Sequence, residues 1–179
     1  MTEPESDAPP RGVLIAAVVI AVVAVVAVLA VAATREPARN PVPISAVPAP
    51  GAADPLCAAL LAATPEDLGD YHRAPTVDPT PPGAAAWQQD NGGEPVILRC
   101  GVDRPGDFVV GAPLQLVDEV QWFRVADAGT GWVTWYAVDR PVYIALTLPP
   151  GSGPAPIQGI SEVIARIAPA QPIDPAPPR

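Results

Sequence analysis

The chain has 179 residues, 49% of them hydrophobic, with 27 prolines, no lysine and a formal net charge of −9 at pH 7. That inventory lacks the basic stripe on which nucleic acid or an anionic headgroup surface would be bound. The length allows one ordinary small domain besides the segments that cannot enter a core.

Residues 1–11 read as a short cytoplasmic tail, and residues 12–33, GVLIAAVVIAVVAVVAVLAVAA, carry no charged or hydrogen-bonding side chain. At a rise of about 1.5 Å per residue such a helix spans a hydrocarbon core of roughly 30 Å, where every peptide group must be bonded internally. The run exceeds the h-region of a secretory signal, about 7–15 residues, so the expectation is a signal anchor in the lipid bilayer. Ala30-Val31-Ala32 offers small residues at cleavage spacing, and secretion after signal cleavage is the alternative. Cys57 lies too far beyond the run to be a lipidated cysteine. Arg11 precedes the helix while Arg35 and Arg39 follow it, so the arginine count favours the opposite orientation. The short leading tail and two downstream cysteines favour an exported C-terminal part.

Residues 34–53 are rich in proline and alanine and read as a semi-rigid extended stalk. Residues 54–168 are the extracytoplasmic domain, and residues 169–179 repeat the stalk composition and read as a disordered tail. Within the domain, Asp54-Pro55 is an N-cap with proline at the first helical position, opening a helix to about Ala63. Thr64-Pro65-Glu66-Asp67 repeats that start signal, with Gly69 as a stop, and residues 73–93 read as a long irregular connection.

Strands follow. Val96 to Cys100 is a compact apolar run, and residues 114–117 and 120–125 flank Asp118-Glu119 as a hairpin. Residues 131–138 alternate, and Val142, Ile144, Leu146 and Leu148 share one buried face. The short connections, residues 126–130 and 139–141, favour antiparallel neighbours. A last helix, 156–167, repeats Ile157, Ile160, Val163, Ile164 and Ile167 at helical spacing. The expected fold class is α+β: an N-terminal transmembrane helix, then a two-layer domain of antiparallel sheet with helices at its start and end, both on one face.

Cys57 and Cys100 are the only cysteines, and a disulfide between them would staple helix to sheet, two buried thiols being the alternative. With one histidine, His72, the ligands for a standard zinc site are too few, and no metal or cofactor is expected. Asp103 with Asp107, and Asp118 with Glu119, lack calcium-loop spacing. Ser6, Ser45, Ser152 and Ser161 sit in no nucleophile elbow, and no catalytic residue is assigned. Four tryptophans remain. Trp122, Trp132 and Trp135 are candidate partner-binding aromatics, with packing beneath a loop such as residues 73–93 the favoured alternative for an aromatic here; Trp132 and Trp135 have opposite parity, which places one in the core and the other on the open sheet face.

Cys57-Ala-Ala-Leu-Leu-Ala-Ala, Val96-Ile-Leu-Arg-Cys-Gly101 and Val120-Gln-Trp122, with the strands beyond, resemble an actinobacterial, mycobacterial-type family of single-pass membrane proteins, domain of unknown function 3515. The resemblance implies one membrane helix and an extracytoplasmic domain, and brings no catalytic residue. Two readings follow. The favoured one is a non-enzymatic binding or accessory protein of the cell envelope, whose partner is an envelope protein or a cell-wall component. The other is an envelope-acting hydrolase or transferase using Asp or Glu, which needs two carboxylates converging in a cleft. A homo-oligomer through Ala17-x-x-x-Ala21 is a third possibility.

Overall fold

The computed structural model describes residues 11–34 and 40–178. Residues 1–10, most of the expected tail, lie outside them, as do residues 35–39 and Arg179. The chain divides into two compact units, Met1–Ala38 and Arg39–Arg179.

The first unit contains α1, Arg11–Thr34, which is apolar around its whole circumference. Its span Arg11–Val31 is long and apolar enough to cross a membrane, and none of it is buried. A helix with no polar face has no aqueous surface to turn outward.

The second unit is the α+β fold expected. Helix α2, Pro55–Ala63, starts where the Asp54 side chain accepts the Leu56 N–H at 2.8 Å. Strands β1 (Asp67–Leu68), β2 (Tyr71–Ala74), β3 (Ala84–Gln88), β4 (Val96–Val102), β5 (Leu114–Val117), β6 (Val120–Ala126), β7 (Val133–Ala137) and β8 (Tyr143–Leu148) precede α3, Ala155–Ile167. They form one antiparallel sheet in the order β1-β2-β3-β4-β8-β7-β6-β5. The β5–β6 hairpin turns through Asp118 and Glu119, both at positive φ as a two-residue primed turn demands.

Both helices cover one face. Leu60 from α2 and Ile160 and Ile164 from α3 meet Leu98, Ile144, Leu146 and Trp122 in the main core. Cys57 and Cys100 are joined by a disulfide, with Cα atoms 5.5 Å apart, tying α2 to β4. Closing that loop contributes about 2–4 kcal/mol in the chain-entropy account.

Four expectations are corrected. Thr64-Pro65-Glu66-Asp67 starts no helix; it leads into β1, and the Glu66 carbonyl instead accepts the Arg73 N–H at 2.6 Å. Residues 73–93 are not irregular throughout, because β3 lies within them and Trp87 is fully buried there, its Nε1–H donated to the Pro65 carbonyl at 2.9 Å. Residues 40–53 are no free stalk. Val42 bridges Thr76 in parallel, and Val42 and Ile44 are buried against Ala74, Ala86 and Ile97 on the face away from the helices. Nor is the segment after α3 loose as far as it is described, since Ala176 pairs with Phe108 and Val110 and the Gln171 N–H reaches the Asp139 carbonyl. Proline removes a donor but leaves apolar surface and a carbonyl, enough to bind an extended strap to a sheet face.

Candidate functional site

The second sheet face carries no helix. At its two ends it is covered by straps: residues 42–44 over Ala86 and Ile97, and Phe108 over Phe123 and Val138. Between them runs a groove whose origin is legible in the register. Ala84, Arg99, Ala145, Tyr136, Phe123 and Leu114 are successive cross-strand partners in one row. Two alanines therefore flank one arginine, and where neighbouring side chains are long an alanine leaves a hollow.

On one side of Arg99 the hollow is about 300 Å³ and is walled by Val47, Ala49, Pro79, Pro81 and Ala84. On the other it is about 360 Å³ and is bounded by Thr134, Tyr136, Ala145, Thr147 and residues 102–105 at and beyond the end of β4. Val47 and Arg99 border both. The Thr134 and Thr147 hydroxyls, opposite one another on β7 and β8, are 3.1 Å apart.

Arg99 is the group of chemical interest. Its Nη2 donates to the Ser45 carbonyl at 3.3 Å, while its buried Nε makes no hydrogen bond. Among the described residues no carboxylate pairs with it. Burial pushes its pKa below the ordinary arginine range, and Tyr136 acts weakly in the opposite sense. The same burial raises the Tyr136 phenol above its usual value, with Arg99 drawing it down.

A second cluster surrounds His72, which lies in β2. Its Nδ1–H donates to Asp67 at 2.6 Å, and Asp90 is 3.8 Å from Nε2. Gly69, Asp70, Gln89 and Asn91 complete a shallow, open depression that contains no Ser, Thr or Cys. A third cluster is structural. Asp139 and Arg140 form a buried ion pair at 2.9 Å, and Arg140 also donates to the Glu119 carbonyl at 2.9 Å, locking the β5–β6 turn to the β7–β8 turn. Among the described residues, no group of His, Cys, Asp and Glu could hold a metal ion.

The expected partner-binding aromatics fall elsewhere. Trp122 is fully buried beneath α3, its Nε1–H donated to Ser161 at 3.0 Å, and cannot anchor a partner. Trp135 borders the helix-side core, with the Arg124 guanidinium 5.8 Å from its ring centre. Trp132 precedes β7 and closes a turn, its carbonyl accepting the Asp127 N–H at 2.8 Å. The open-face residues of β7 are Thr134 and Tyr136, so parity misplaced the tryptophan by extending the strand too far. Arg99 was missed in sequence. Its one signal was an arginine within the apolar run Val96-Ile-Leu-Arg-Cys100, where a surface cation is out of place.

A family model described as a protein of unknown function (DUF3515) matches residues 18–173. No curated protein and no solved structure matches the chain.

Proposed function

We propose, on the premise that this chain belongs to the DUF3515 family of proteins of unknown function, that it is a membrane-anchored binding or accessory protein of the actinobacterial cell envelope. In this reading α1 is a signal anchor with its N-terminus in the cytoplasm, and the α+β unit lies outside the membrane. It captures an envelope protein or a cell-wall component and performs no catalysis. The observation that carries the reading is the groove at Arg99, a concave surface with an unpaired cation and hydroxyls, on a sheet face that no helix covers. Support for export comes from the disulfide, which persists in oxidising compartments, and support for the anchor from the length and composition of α1. A lysine-free chain rich in alanine and proline suits a high-GC actinobacterial source.

Photocrosslinking in living cells tests it. A photoreactive residue at Thr147, in the groove, should capture a discrete adduct that the same residue at Leu116, 72% exposed on the edge strand, does not. Identical adduct patterns from both positions would contradict a groove-centred binding role.

One observation favours the second reading, an Asp-dependent hydrolase or transferase. Asp67 and Asp90 converge on His72, although in an open depression rather than a cleft. If that reading holds, His72→Gln abolishes turnover of envelope material and Arg99→Gln does not.

A further inference from the structure

Ala84 and Ala145 lie directly across the sheet from Arg99, and the hollows they leave meet at its side chain. The two hollows differ in chemistry. Alanine, valine and proline, with Thr80, wall the first, so most of its surface offers water no partner; threonine and tyrosine hydroxyls border the second. An elongated ligand crossing from one to the other would pass over a guanidinium.

That guanidinium is incompletely used. Among the described residues its Nη2 bonds the Ser45 carbonyl at 3.3 Å, and its Nε is buried with no partner. A partly buried cation without an acid is costly, because desolvation is not repaid by a counter-charge. The neighbouring Arg104 is already engaged with Asp174 at 3.3 Å, and Asp103 on the same rim is exposed and screened by solvent. One desolvated positive charge therefore dominates this part of a chain whose net charge is −9.

We infer that the groove binds a carboxylate at the end of a short aliphatic chain, the carboxylate on Arg99 and the chain in the hollow of Val47 and Pro81. The inference rests on the groove being the binding surface proposed above. A carboxylate is favoured over a phosphate on the ground of charge: one unpaired cation balances one negative charge, whereas a dianion would leave a second charge without a partner at a partly desolvated site. The small side chains around Val47 accommodate an alkyl chain or the side chain of alanine or valine. Two sources present this chemistry: a free short-chain acid, and the C-terminus of a peptide ending in a small aliphatic residue.

The test is titration calorimetry of the full chain in nanodiscs, with valerate, N-acetyl-alanyl-alanine and the amide of each. At least one acid should bind about tenfold or more tightly than its amide, the factor expected when a charge-assisted hydrogen bond is lost. Arg99→Gln should abolish that preference. Arg99→Lys, which keeps the charge but loses the fork, should weaken acid binding several-fold, and Ala84→Val, which narrows the hollow of Val47 and Pro81 and leaves Arg99 in place, should weaken both acids. Tighter binding of valerate assigns the free acid, and tighter binding of the dipeptide assigns a chain terminus. The inference is overturned if acid and amide bind alike, if Arg99→Gln and Ala84→Val both bind as the unaltered chain does, or if neither acid binds below about 10 mM. A Thr147 adduct in cells together with equal acid and amide binding removes the carboxylate and leaves the binding role; acid binding without any groove-specific adduct does the reverse.

Discussion

The Gly51 N–H donates to the Gly101 carbonyl at 2.9 Å, joining the strap before α2 to a bulge at the end of β4. Gly101 has φ +79°, and a Cβ there would collide with the backbone of Gly51 and Ala52. The strap lies against β4 because this position has no side chain, and the disulfide at neighbouring Cys100 fastens the same corner. Gly101→Ala must relieve both a left-handed backbone and a backbone clash, and should lower stability by roughly 2–4 kcal/mol. Chemical denaturation of the full chain in detergent checks it; a loss below about 1 kcal/mol would mean that the strap is not bound this closely.

Trp122 and Ser161 make a side-chain hydrogen bond that joins sheet to α3 inside the main core, at 3.0 Å and with both residues fully buried. Ser161→Ala leaves the indole N–H buried and unpaired, at a cost of about 1–3 kcal/mol. Trp122→Phe in that background removes the orphaned donor, so the double variant should lose less than the sum of the two single variants. A double-mutant cycle on unfolding free energies measures the coupling.

Among the described residues Arg140 is the cation paired with Asp139, whose carboxylate also accepts the Gln121 N–H at 3.1 Å, and both side chains of the ion pair are almost wholly enclosed. Arg140→Met strands a buried carboxylate and should cost about 3–5 kcal/mol. Replacing both, Asp139→Leu with Arg140→Met, should recover part of that loss. Because the Asp139 carbonyl also holds the Gln171 N–H at 2.8 Å, amide exchange at Gln171 should accelerate in the single variant.

All three tyrosines, Tyr71, Tyr136 and Tyr143, are raised above the ordinary phenol value, chiefly by burial. A phenol whose folded pKa exceeds its unfolded one contributes stability that is fully present below about pH 10 and is lost as pH rises through the folded value. The tyrosinate absorbance of the native protein should therefore rise at higher pH than that of the denatured chain. Arg99 is the cation that draws Tyr136 down, so Arg99→Gln should delay one tyrosine further and leave the other two in place. Three native tyrosines titrating together with the denatured chain would contradict the buried environment of Tyr136.

Local signals carried much of this fold. Asp54-Pro55 announced α2, the run Val142 to Leu148 announced β8, and the isoleucines of α3 announced its buried side, because cap chemistry and periodicity act between near neighbours. What failed was of longer range. Residues 40–53 and the segment after α3 look like spacer by composition, yet sheet positions distant in sequence supply their partners, Thr76 for one and Phe108 for the other. The groove was hidden for the same reason. Ala84, Arg99 and Ala145 become a hollow only when three strands register side by side, and no window of sequence contains all three.

Labelling of Leu116→Cys with a membrane-impermeant maleimide in intact spheroplasts tests the central claim, that the α+β unit stands outside the membrane, most directly. Leu116 is 72% exposed on edge strand β5, and the native cysteines are bonded to each other, so a single thiol reports. The account predicts full labelling in intact spheroplasts, with no increase after detergent. Protection until the membrane is opened would place this unit in the cytoplasm and contradict the account.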